Sequence, residues 1–190
     1  MRWLTLYARS RQVPASAAAV VLIALATWAL NHNGAGPMDL GIAVLILTAN
    51  VTAASVGLGG PDVALERTAA IRWAPRRAAH ALLAGAVAGA ALLAAQAAGA
   101  ELAPATLVVR DSAGLIGLAA LGAVLCGAQA AWALPTGWLM VTLLVPALPG
   151  TAGQVIDWMI SPPGTAAATA TALALLVTGT GLYAVAGPRQ

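Results

Sequence analysis

Charge is almost absent from six successive stretches of this 190-residue chain: 14–30, 38–56, 78–99, 112–134, 137–149 and 165–186. A helix needs about 20 apolar residues to cross roughly 30 Å of hydrocarbon at about 1.5 Å per residue. These runs are unbroken and lack the period-two alternation of barrel strands, so they predict helices. Composition points the same way. The chain is 61% hydrophobic and 8% charged, with a mean hydropathy of +0.87, where a soluble domain carries about 25% charged residues. The expectation is an all-α polytopic membrane protein, a single transmembrane domain over 1–190 with six helices. The 20 glycines and 11 prolines are tolerable where neighbouring helices satisfy the backbone. The fifth run is short and holds Pro146 and Pro149, which suits a re-entrant or interfacial ending.

The placement of charge suggests an orientation. Every basic residue is an arginine. Eight of the nine lie at Arg2, Arg9 and Arg11, at Arg67, Arg72, Arg76 and Arg77, and at Arg189. With six spans these three places share one side, and Asp39, Glu101, Asp157 and the adjacent Arg110 and Asp111 fall on the other. The positive-inside rule then expects both termini and the 60–77 loop in the cytoplasm. The sequence pI of about 10.0 needs no nucleic-acid partner, since arginines at membrane edges are drawn to anionic lipid headgroups. No acid or base falls well inside an expected span, which argues against a proton or sodium relay built on intramembrane carboxylates.

Three segments outside the spans are amphipathic. The N-terminal MRWLTLYARSR suits an interfacial helix before the first span. Between spans two and three, Gly59, Gly60 and Pro61 stop the membrane helix and Asp62 can cap VALERTAAIRW. That short helix offers a docking surface to a cytoplasmic partner through Asp62, Leu65, Glu66, Arg67, Ile71, Arg72 and Trp73; alternatively its arginines only anchor the third span at the headgroups. Between spans five and six, GQVIDWMISPP reads as an interfacial turn of helix. Asp157 and Trp158 are expected at the outer headgroups, as simple anchors or as part of a lid or vestibule.

Asn50, Gln96 and Gln129 are expected on the second, third and fourth spans, where such amides either bond between helices or line a polar cavity. Gly85 and Gly89 of the third span, and Gly114, Gly117, Gly122 and Gly127 of the fourth, allow close helix approach. Cys126 is expected to be a buried small hydrophobe. His32 and His80 have no HExxH, paired CxxC or carboxylate cluster beside them, so no metal site is expected. Neither a catalytic constellation nor a Walker A sequence GxxxxGK[ST] is present, so no enzymatic activity is expected of this chain.

Taken together, MRWLTLYARSR, PDVALERTAAIRWAPRR between spans two and three, GQVIDWMISPP between spans five and six and the shared side of the two ends resemble the membrane subunit of an ABC-2 type transporter. The stretch VVRDSAGLIGLAALGAVLCGAQAAWALP is also similar to small actinobacterial permease-like proteins. The resemblance covers the whole chain as topology, though members are usually longer. It implies a permease in a bacterial plasma membrane, paired with a second membrane subunit of the same or another chain. A separate cytoplasmic ATPase would carry ATP and Mg and dock at the 62–73 segment. The family's exported drugs, antibiotics, lipids and polysaccharides are not distinguished by these residues. An accessory or assembly membrane protein, or a small secondary transporter or channel, is the alternative expectation.

Overall fold

A computed structural model describes residues 12–33, 38–59, 73–146 and 148–189. Among them the chain is all-helical: α1 (Val13–Asn31), α2 (Leu40–Ser55), α3 (Trp73–Ala97), α4 (Ala105–Leu125), α5 (Ala133–Leu144), α6 (Gly150–Ile156) and α7 (Ala166–Ala186). Single 3-10 turns occupy Val56–Leu58 and Ala128–Ala130. Five segments are long and apolar enough to cross a membrane: α1, α2 with its 3-10 turn, α3, α4 and α7. The N-terminal amphipathic stretch and most of the loop between α2 and α3 lie outside the described residues, and with them Asp62, Leu65, Glu66, Arg67, Ile71 and Arg72.

Two expected spans need correction. The fourth begins at Ala105 and ends at Leu125, not 112–134. Pro104 sits directly before its first turn, where a missing N–H costs nothing. Gly127, at φ 101°, turns the chain in a region only glycine enters readily. The fifth span, expected over 137–149, is instead the 12-residue α5 followed by a separate α6. Twelve residues reach about 18 Å, well short of the hydrocarbon thickness. The break has a local cause: Val145, which precedes Pro146, is extended at φ −86°, ψ 128°, the conformation a following proline favours.

The bundle has two ends of different character. At one end the Tyr183 hydroxyl donates to the Leu58 carbonyl at 2.6 Å. The Arg189 amide donates to Ala123 O at 2.9 Å, and the buried Arg77 packs against Gly187. At the other end Trp28 Nε1 donates to Ala98 O at 2.9 Å, and the Met38 amide to Glu101 O at 3.1 Å. Asp39 caps α2 there, accepting from the amides of Gly41 and Ile42. Among the described residues the first end thus holds Arg76, Arg77 and Arg189, and the second holds Asp39 and Glu101.

α4 is the central helix: 78% of its most apolar stretch is buried, against 22% for α1. It runs parallel to α7, because Arg110 meets Pro162, Gly114 meets Ala172 and Ala123 meets Arg189 in ascending order along both helices. Small residues make this contact possible. A Cβ on Gly117 would lie 2.3 Å from Leu175 O, and one on Gly179 would lie 2.0 Å from Gly117 O, so the two backbones touch. On the other side of α4, Gly85 and Gly89 of α3 receive Ile116 and Ser112.

Candidate functional site

Starting α4 at Ala105 places Arg110 and Asp111 more than one turn inside a membrane-length helix. Both are buried, at 9% and 0% exposure. The expectation that charges stay clear of the spans is therefore wrong for this pair, which a span starting at Ser112 would leave in the preceding loop.

Buried charge persists only where it is paired and hydrogen-bonded. Arg110 Nε donates to Asp111 Oδ1 at 2.7 Å. Nη1 donates to Ser161 O at 3.0 Å and Pro162 O at 3.4 Å, and Nη2 to Met159 O at 3.4 Å. These carbonyls belong to the strap 157–165, which joins α6 to α7; of the three, only Pro162 O finds another donor within the strap, accepting from Thr165 Oγ1 at 2.9 Å. A guanidinium is suited to the task, because its five N–H donors spread in one plane and stay charged. Arg110 thus ties α4 to the strap, and Asp111 fixes the guanidinium. Asp111 Oδ2 has no protein partner.

The strap is turned by Asp157, whose carbonyl accepts from the Ile160 amide at 3.1 Å, the Ser161 amide at 2.9 Å and Ser161 Oγ at 2.9 Å. Asp157 itself is half-buried. Trp158, expected as an anchor at the outer headgroups, is fully buried within the protein. Its ring fills the space left by Gly114, where a Cβ would come within 2.4 Å of it. The indole N–H, Nε1, has no protein partner. From the other side, Trp138 Nε1 and Thr142 Oγ1 of α5 both donate to Ile156 O, at 3.0 and 3.3 Å. α5 is thereby tied to the last residue of α6, where the strap begins. Beside Arg110 an apolar groove of about 510 Å³ lies between the first turns of α4 and α7, walled by Val109, Ala113, Ala172 and Leu173.

The three expected amides are not brought together. Asn50, fully buried, donates from Nδ2 to Ala88 O of α3 at 2.8 Å and joins α2 to α3. Gln96, in the last turn of α3, donates from Nε2 to Ala103 O. Gln129 is exposed on the 3-10 turn after α4 and lies in no span, because Gly127 has already turned the chain. Cys126 is likewise exposed rather than buried, since it caps the end of α4. Trp73, the one docking candidate within the described residues, opens α3, and Arg76 lies over its ring at 5.8 Å from the centroid. His32 stacks on Trp28 at 4.6 Å. His80 Nε2 is 2.9 Å from Gly57 O. Among the described residues no three His, Cys, Asp or Glu side chains are grouped to hold a metal.

Sequence reasoning missed Arg110 and Asp111. A usable signal was Pro104, a helix-start residue followed by ATLVVRDSAG, in which the charges sit between apolar neighbours. Compared with known protein families, curated proteins and solved structures, the chain matches none.

Proposed function

We propose that this chain is the permease subunit of an ATP-driven ABC exporter in a bacterial plasma membrane. A separate cytoplasmic ATPase binds ATP and Mg, docks at residues 62–73, and drives a pathway formed with a second membrane subunit. The observation that carries the reading is the convergence of chain ends. Gly59 and Trp73, which flank the docking loop, share one end of the bundle with Val13, the first residue of α1, and with Arg189, the last described residue. Val13 lies in one groove with Gly57 and His80, and Gly59 approaches Ala128, to which Arg189 is bonded. The arginines there favour a cytoplasmic position for that end under the positive-inside rule.

In this reading the α5–α6 hairpin as a whole takes the place of the fifth of six crossings, since α5 alone is too short to span the hydrocarbon. Because α4 and α7 are parallel, the chain between them must return from the arginine end to the opposite one. It leaves Gly122 beside Ala131 and brings Leu143 to Gly41, at the start of α2. The broken α5–α6 hairpin and its strap then lie on the outer side, where a substrate leaves. The test is co-purification from mild detergent of an ATP-hydrolysing subunit. Charge reversal at Glu66 and Arg67 is expected to release it while membrane insertion persists; an unchanged association overturns the assignment of these residues.

One observation favours a second reading, an autonomous small transporter. Ionisable residues within membrane spans commonly mark transport pathways, and Arg110–Asp111 is such a pair. The readings separate in vesicles that contain this chain alone: ion-gradient-driven uptake abolished by Asp111→Asn supports the second and contradicts the first.

A further inference from the structure

At the arginine end of the bundle a recess of about 280 Å³ opens between α1, the exit of α2 and α3. Its walls are apolar, formed chiefly by Ala17 and Val20 of α1, Ala54 of α2, and Leu83 and Val87 of α3. His80 and the Ser16 hydroxyl lie at its rim. Positions 76, 80, 83, 84 and 87 of α3 share one helical stripe, spaced by three and four residues. The stripe therefore begins in the exposed Arg76, continues through His80 and ends in the apolar wall of the recess. From His80 to Val87 it descends about 10 Å toward the middle of the bundle.

We infer that this recess is a binding site for an anionic phospholipid of the surrounding leaflet, which lays one acyl chain along Leu83 and Val87 and sets its phosphate at the level of Arg76 and His80. Three features favour this occupant. The recess lies on the flank of α1, the least buried of the five membrane-length helices, so it faces lipid. It is a hollow between three helices, and a chain seated there touches protein on several sides, where a convex helix face offers contact on one. The charge is complementary, since the exposed Arg76 stands in the first turn of α3 above the recess, and basic rims between membrane helices attract anionic headgroups. The inference is independent of what the chain transports and of whether an ATPase binds it.

The experiment is native mass spectrometry of the full chain, released from mild detergent after titration with phosphatidylglycerol or with phosphatidylcholine of the same acyl chains. The wild-type protein is expected to retain one phosphatidylglycerol under detergent washing that strips phosphatidylcholine. Ala17→Trp and Leu83→Trp, at exposed positions on opposite walls, fill the recess and are expected to remove that adduct. Circular dichroism and gel filtration confirm their fold. Arg76→Gln, a surface change that leaves the walls intact, is expected to lower the preference for phosphatidylglycerol about fivefold, the effect of one cation near an anionic headgroup. Undiminished retention in both folded tryptophan variants overturns the site. An unchanged headgroup preference in Arg76→Gln overturns its anionic selectivity.

Discussion

Arg110 Nε and Asp111 Oδ1 meet at 2.7 Å although the two residues are neighbours on one helix, where consecutive side chains diverge by about 100°. The arginine wraps around the helix to reach its neighbour, and in doing so presents its Nη atoms to the carbonyls of Met159, Ser161 and Pro162. The pair is thus a joint between the central helix and the strap that leads into α7.

Breaking that joint on one side is expected to be costly. Arg110→Ala leaves a buried carboxylate and the carbonyls of Met159 and Ser161 without their donor, a class of change that costs about 3 to 5 kcal/mol. Thermal unfolding in detergent should show the loss. Because the Arg110→Ala, Asp111→Ala double variant removes the stranded charge as well, it is expected to recover part of the loss. A double variant as unstable as the sum of the two singles contradicts the pairing.

The contact of α4 with α7 gives a second prediction. Gly117→Leu and Gly179→Leu each drive a side chain into the opposing backbone and are expected to prevent native assembly, measured as loss of the monodisperse species in gel filtration. A Cβ at Gly137 or Gly181 would meet nothing within 4 Å. Gly137→Ala and Gly181→Ala are therefore expected to elute as the wild type.

Trp158 separates a packed strap from an interfacial one. Fully buried against Gly114, it is expected to be shielded from a water-soluble quencher and from lipids brominated near the headgroup. Trp132, 52% exposed, is expected to be quenched. Variants that retain each tryptophan alone make the comparison by fluorescence. Strong quenching of Trp158 returns it to the headgroups.

The helical class and most of the membrane-length segments are legible in the sequence because lipid imposes long uncharged runs, and such runs survive any packing arrangement. The end of α7 is marked by Gly187, which takes φ 73°. The fourth and fifth spans are not legible, for reasons of one kind. Arg110 and Asp111 look like a boundary, yet contacts with a strap some 50 residues away allow them inside the helix. The apolar run after Gly137 looks continuous, yet Pro146 breaks it. Trp158 is hidden for a related reason. Its sequence neighbours suggest an interface, but the pocket that receives its ring is made by Gly114, far away in the chain. Asn50 is recognisable as a polar residue within a span, while its partner, the Ala88 carbonyl, is a main-chain atom that leaves no mark in a sequence.

The proposed docking of an ATPase at residues 62–73 is tested in intact cells by photo-crosslinking, with the reactive side chain placed at position 65 and, for comparison, at position 145. An ATPase subunit is expected to be captured from position 65 and not from 145, with capture lost on charge reversal at Glu66 and Arg67. Absence of any ATPase from position 65, in a chain that is inserted and abundant, would rule out the permease reading.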